Sequence, residues 1–492
     1  MSSSERYRPS RAALELGDAF YDPVLPARFP ERILRFRNDR WAARVGLEEL
    51  SNADWEAHFA RFSPLPGSLE RPLALRYHGH QFQSYNPDLG DGRGFLFAQL
   101  HDAEDGRLLD LGTKGSGRTP YSRGGDGKLT LKGGFREVLA TEMLEALGVS
   151  TSKSFSLFET GERLSRNDEP SPTRSSVLVR LSHSHVRFGT FQRLLYHRDA
   201  EGMRRLVEYC VRHLHPDLGD APDPATALFE RVVERAAALV ASWMAAGFVH
   251  GVLNTDNMSI TGESFDYGPW RFLPHYDPGF TAAYFDGGGL YAFGRQPDAV
   301  MWNLARLAEC LRLATPERRF EALLERFPER FRAAFRPRLL ARLGLRPVDE
   351  ATDQRLVDVL FRFLDASRVG FAQFFFDWYG GEASRARAKE SPARAVYETE
   401  RFAPVLHELS LHEPAHEEKL SLDYFQRTRP CDMRIDEVEA LWSEIAEVDD
   451  WSSFEWKVRD IRAMGDALGL RATSPTSTES PTSATGSPAS SA

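Results

Sequence analysis

An α+β fold in two parts, a β-rich N-terminal lobe followed by a helical C-terminal lobe with extensions at both ends, is what this 492-residue chain predicts. Three observations carry that prediction. Glycine-crowded stretches and short runs of apolar residues fill the region from about 71 to 187. From about residue 199 the apolar residues recur every three or four positions, the period of amphipathic helices. Between those helices lies VHGVLNTDNMSITGESFDYGPW, residues 249–270, which holds too many amide and carboxylate oxygens for a core segment. The implied divisions are an extension over 1–65, the β-rich lobe over 66–200, the helical lobe with C-terminal helices over 201–470, and a Ser/Pro/Thr tail over 471–492.

Composition removes several function classes. Hydrophobic residues make up 42% and charged residues 27%, enough for a sizeable core. The net charge of −9 disfavours a nucleic-acid partner. Cys210, Cys310 and Cys431 are far apart and form no C-x-x-C pair, so they read as buried small hydrophobes in a reducing compartment. No run of eighteen apolar residues exists, so no membrane span is expected. The N-terminus has no apolar signal core, and a cytoplasmic monomer is the expectation.

Taken in order, residues 41–62 read as partly helical within an extension that wraps the next domain. Runs at 95–100 and 108–112 bracket Asp105-Gly106 and predict a hairpin. Gly90, Gly92 and Gly94 surround Arg93 just before it, and glycines let backbone amides approach phosphates. Lys114 follows the second strand, and Glu137 sits on a helix predicted over 135–147, on the face shared with Ala140, Thr141 and Leu144. Asp126-Gly127 in SRGGDGK is either a simple turn or a loop over a nucleotide. SKSFSLFET and SVLVRLSHSHVRFGTFQ read as strands; they carry Arg180 and Arg187, whose planar forks suit phosphate. His183 and His185 read as structural, for want of a third metal ligand. Helices are predicted over 203–214, 225–247, 317–345, 352–378 and 434–468, and from Arg471 too few apolar residues remain to order the chain.

The oxygen-rich segment follows the order of a protein-kinase C-lobe: helix, catalytic loop, hairpin, metal-binding Asp. Kinases hold their metals with a loop Asn and the Asp of an Asp-x-Gly triplet. Asn257 and Asp266-Tyr267-Gly268 fill those two places and suit Mg²⁺. The usual kinase base, two residues after the loop His, is here Val252, and Asp256 is the nearest replacement carboxylate. A strand lysine paired with a helix glutamate, here Lys114 and Glu137, is the matching phosphate grip.

With those residues in place, the chain resembles the selenoprotein O (SelO, YdiU) family, through blocks such as YHGHQF, NPDLGDGRG, GTKGSGRTPYSRGGDGKLTLKGG, REVLATEML, HGVLNTDNMSITGESFDYGPW and YAFGRQP. The resemblance implies a protein-kinase-like fold that transfers AMP from ATP, and in some members UMP from UTP, to Ser, Thr or Tyr hydroxyls of proteins. It implies a nucleotide reversed relative to kinases, so that pyrophosphate leaves from the deep end. Lys114, Arg180 and Arg187 match the family's phosphate-binding positions. Gly90, Gly92, Arg93, Asp126 and Gly127 match nucleotide-contacting positions. Asp256 matches the proposed general base, Asn257 and Asp266 the ligands for Mg²⁺ or Mn²⁺, with Asp266 also at the nucleotide, and Glu137 the residue that orients Lys114. One departure is the C-terminus: many members carry a selenocysteine or cysteine there, whereas this tail has none. Two other classes compete with the AMP-transferase: a kinase-like phosphotransferase, since HGVLNTDN is similar to the loop of antibiotic kinases, and a non-catalytic nucleotide-binding scaffold, favoured by Val252.

Overall fold

The computed structural model describes residues 5–167, 169–315, 317 and 319–471. The predicted disordered tail, apart from Arg471 itself, lies outside the described residues. The fold is mixed α/β, with a sheet-rich N-terminal region and a helical C-terminal region.

A nine-stranded sheet organises the first part. Its strands are β1 (Pro9–Ser10), β2 (Tyr21–Pro23), β3 (Ile33–Arg37), β4 (Leu73–Leu75), β7 (Leu96–His101), β8 (Leu108–Lys114), β9 (Leu129–Thr130), β10 (Lys153–Leu164) and β11 (Thr173–Ser182); a separate hairpin is formed by β5 (Gly79–Gln81) and β6 (Ser84–Asn86). The main path runs β2-β4-β7-β8-β11-β10-β3, and its neighbouring strands pair antiparallel. The expected hairpin at 95–112 is β7–β8, turning where Gly106 adopts φ +76°. The extension expected to wrap the next domain supplies three of the strands, and its Trp55 and Phe59 are fully buried on one sheet face against Phe97, Phe155, Val177 and Val179.

Alternation of side chains across the sheet decides what faces the helix on its other side. Leu178 and Arg180 of β11 share a face, and Lys114 lies opposite Leu178. That face meets helix Leu131–Ala146, which contributes Leu131, Phe135 and Val138 to a core containing Leu157 and Leu178. The helix starts four residues before the predicted position because the Thr130 side chain caps it, accepting from Gly133 N–H.

The stretch SVLVRLSHSHVRFGTFQ is not all strand. β11 ends at Ser182, and a helix runs over Phe188–His197. Phe188, Phe191 and Leu194 recur at helical spacing, so the buried stripe of the helix overrides the β-branched start of the stretch. The long helices predicted over 352–378 and 434–468 are each broken once by a left-handed residue, Arg368 at φ +56° and Asp449 at φ +53°. The last helices, Ile435–Val448 and Ser452–Leu468, return to the N-terminal region. Arg462 makes two 2.8 Å bonds to the buried Glu142, and Phe454 packs on Phe135, so the helix carrying Glu137 is clamped from behind.

Candidate functional site

The loop after helix Pro224–Ala246 begins at the two-residue strand β12 (Phe248–Val249), which pairs with β13 (Arg271–Phe272). Everything between the two strands is thereby returned to one place. His250 is fully buried; its backbone N–H donates to Gln296 Oε1 at 3.0 Å and its Nε2–H to the Phe265 carbonyl at 3.1 Å. Burial pulls its pKa below the ordinary histidine value, so the ring is neutral and serves as a brace between the two ends of the loop.

Asp266 adopts φ +65°, a conformation that turns its carboxylate back toward the sheet. There Lys114 Nζ donates to Asp266 Oδ1 at 2.6 Å and to Glu137 Oε1, while Arg180 Nη1 reaches Asp266 Oδ1 at 3.4 Å. Lys114, Glu137, Arg180 and Asp266 therefore form one cluster, as the sequence suggested for the lysine and glutamate. Burial would raise the Asp266 pKa, but Lys114, Arg180, Arg187 and Arg93 outweigh it and hold the carboxyl well below the usual carboxylate range.

Arg187 stands at the N-terminus of helix Phe188–His197, not inside a strand. Its guanidinium lies over the rings of Tyr77 and Phe265, at 4.3 and 5.0 Å, faces Asp91 at 3.5 Å, and donates to the Asp256 backbone carbonyl at 3.1 Å. Burial disfavours the charge, yet Tyr77, Asp91, Asp266 and Asp256 together keep it firmly protonated.

Asp256 differs from Asp266. It sits in the 3₁₀ turn Thr255–Asn257, is 8% exposed, and its buried Oδ1 has no hydrogen-bond partner. Burial pushes its pKa up to about 6, only partly opposed by Arg187. Asn257 donates its side-chain N–H to the Val252 carbonyl at 3.0 Å, and among the described residues its Oδ1 accepts no bond. Val252 thus contributes through its backbone, where a catalytic side chain would stand in a kinase.

The glycine segments pack against each other. A Cβ on Gly90 would come within 2.4 Å of the Tyr121 ring, and one on Gly92 within 2.8 Å of the Tyr121 carbonyl, so neither position accepts a side chain unless Tyr121 moves. Ser122 donates to the Gly92 carbonyl at 2.5 Å, and the Arg93 carbonyl accepts from Gly115 N–H at 2.7 Å, just past Lys114. The Arg93 side chain is exposed. Gly127 adopts φ +70° with no room for a Cβ beside Gly117, while Asp126 is turned aside to Arg166, at 2.8 and 3.1 Å. Asp126 and Gly127 therefore belong to a loop packed on Gly117, and among the described residues Asp126 makes no bond to the cluster.

Sequence reasoning passed over the residues that hold the Asp256 turn. The β5–β6 hairpin lies on it: His80 N–H donates to Thr255 Oγ1 at 2.7 Å and Phe82 N–H to Asn254 Oδ1 at 3.0 Å. Gln192 accepts from Thr255 Oγ1 at 2.6 Å, and Tyr291 donates to Asn254 Oδ1 at 2.9 Å. YHGHQF was visible as a block, but neither its spacing nor its composition tells that its backbone N–H groups serve a loop some 175 positions later.

The arrangement is a group of three buried cations, Lys114, Arg180 and Arg187, around the ionised Asp266, with the high-pKa carboxyl of Asp256 beside Arg187. A family model described as "Protein adenylyltransferase SelO" matches residues 4–462. The chain belongs to the SelO family. Relatives named "Protein nucleotidyltransferase YdiU" are similar over nearly its whole length: 43% identity with the one from Trichormus variabilis, covering 92% of this chain and 95% of the relative, and 44% with the one from Synechocystis, covering 92% and 97%. The one from Trichodesmium erythraeum is 48% identical over 76% of this chain and 80% of its own. The protein is a nucleotidyltransferase, and its substrate is a nucleotide. No helix among the described residues is long and apolar enough to cross a membrane.

Proposed function

We propose that this member of the SelO family is a protein adenylyltransferase of protein-kinase-like fold, moving AMP from ATP to a Ser, Thr or Tyr hydroxyl with pyrophosphate as leaving group. The observation that carries the reading is the contrast between the three buried cations and Asp256. Lys114, Arg180 and Arg187 bind the β- and γ-phosphates at the deep end, so the α-phosphorus faces outward toward Asp256. The acceptor hydroxyl gives its proton to Asp256, its oxygen bonds to the α-phosphorus, and the bond from that phosphorus to the bridging oxygen breaks. The cations stabilise the pyrophosphate charge as it develops. A carboxylate with a pKa near 6 is matched to proton transfer close to neutral pH.

Asn257 Oδ1 and Asp266 Oδ2 accept no hydrogen bond among the described residues, and both are the hard oxygen donors that Mg²⁺ or Mn²⁺ takes. The two residues fit such an ion, which when bound would neutralise phosphate charge. Gly90, Gly92, Arg93, Asp126 and Gly127 border the nucleotide, and Glu137 positions Lys114.

A macromolecular acceptor is supported by the surface beside the Asp256 turn. Phe82, whose N–H holds Asn254, is 37% exposed and contacts Phe285 and Tyr291 at 5.8 and 5.0 Å. Phe285 is 52% and its neighbour Tyr284 87% exposed. Such an aromatic shelf suits a polypeptide better than a small polar acceptor. The test is label transfer from ATP carrying ³²P at the α or the γ position, with cell lysate as acceptor. Label from the α position alone is expected; label from the γ position alone would make the protein a phosphotransferase, and ATP binding without either would make it a scaffold.

A further inference from the structure

A second group of cations shares no residue with the candidate site. A cavity of about 270 Å³ opens where the ends of helices Leu131–Ala146, Pro224–Ala246 and Phe327–Arg342 meet the chain after helix Ser452–Leu468. Arg338, Arg342 and Arg471 line it together with small and apolar residues, and no carboxylate does.

Arg342 is the unusual member. It is only 6% exposed, its guanidinium lies 5.7 Å from the Phe375 ring, and it makes no ion pair among the described residues. Its Nε–H is buried without an acceptor, and so is the Nε–H of Arg471. Arg471 is otherwise paired with Asp466 at 3.0 Å, and among the described residues Arg338 donates only to the Ala334 carbonyl of its own helix, at 3.2 Å. Besides Asp466, the fields of Asp432 near Arg342 and of Glu145 near Arg471 reach the cluster, and among the described residues neither of these two bonds to it. Arg342 ends its helix without donating to the terminal carbonyls, so helix capping does not account for it. Two buried guanidinium N–H groups left unmade at one cavity are costly, and a planar fork is matched in shape and charge by a phosphate.

We infer that this cavity binds a small phosphate oxyanion, either orthophosphate or the pyrophosphate that the proposed transfer releases. Only the second source rests on the proposed function. The experiment is isothermal titration of the full chain with orthophosphate and, separately, pyrophosphate, at ionic strength held constant with chloride. Three variants are compared with the parent: Arg342→Met, Arg338→Met and Lys114→Met. At least one phosphate-binding event is expected to weaken about tenfold or more in both arginine variants and to survive in Lys114→Met. If Arg342→Met does not fold, the more exposed Arg338 carries the same comparison. Affinities unchanged in the arginine variants, or no saturable binding to the parent, would overturn the assignment. Tighter binding of pyrophosphate than of orthophosphate at this site would identify the reaction product as its ligand; the reverse would identify free phosphate.

Discussion

Asp256 and Asp266 lie ten residues apart on one loop, yet their surroundings drive them in opposite directions. The Asp266 turn is folded onto Lys114 and Arg180, and its carboxyl is held ionised. The Asp256 turn is folded under the β5–β6 hairpin, where one carboxylate oxygen meets no donor and burial raises the pKa to about 6. Two groups of one chemical type thus acquire different uses from environment alone, one suited to holding charge and the other to exchanging a proton.

Removing each group is the sharpest way to break that comparison. Asp266→Ala leaves Lys114 to Glu137 alone and takes from Arg180 its carboxylate partner; transfer is expected to fall about a thousandfold or more, and the fold to lose about 3 kcal/mol because the buried Arg180 is left uncompensated, read by urea denaturation. Asp256→Asn is expected to slow transfer at saturating substrate by about a hundredfold or more, with ATP affinity within about twofold of the parent, since on the proposed mechanism it does not touch the phosphates.

The two carboxylates also predict opposite effects of pH. Only ionised Asp256 accepts a proton, so the parent's rate should fall about tenfold per pH unit as pH drops below about 6, a slope that Asp256→Asn lacks. Stability has the other sign. The folded pKa of Asp256 lies above its unfolded value near 3.9, so its contribution is fully present below about pH 4 and is lost as pH rises through about 6. Asp256→Asn should therefore be more stable than the parent at neutral pH, by about 1–3 kcal/mol, with the gap closing below about pH 4. Asp266, with its lowered pKa, stabilises the fold above about pH 3.9 and loses that contribution on acidification. Smallest of the expected effects is Gln192→Ala, which frees the Thr255 hydroxyl and loosens the Asp256 turn; transfer should drop about tenfold with the pH midpoint unchanged.

The same comparison explains what the sequence could disclose. The cluster around Asp266 was legible because each member sits at a position with a local signature: Lys114 closing a strand, Glu137 on a helix face, Asp266 in an Asp-x-Gly triplet. The surroundings of Asp256 were not, because its supports come from elsewhere in the chain. His80 and Phe82 act through backbone N–H groups, Gln192 emerges only once residues 188–197 are seen as helix, and Tyr291 lies in a loop with no period. The sequence around Arg187 suggests a strand for the same reason: β-branched residues before it mask the buried stripe that begins at Phe188. The Arg166 that pairs with Asp126 lies forty residues on and carries no mark of that pairing in sequence.

The most direct test is a crystal structure of the protein with a non-hydrolysable ATP analogue and Mg²⁺. The account predicts the β- and γ-phosphates on Lys114, Arg180 and Arg187, with the α-phosphorus turned toward Asp256. A γ-phosphate facing Asp256, with both arginines free of phosphate, would contradict it.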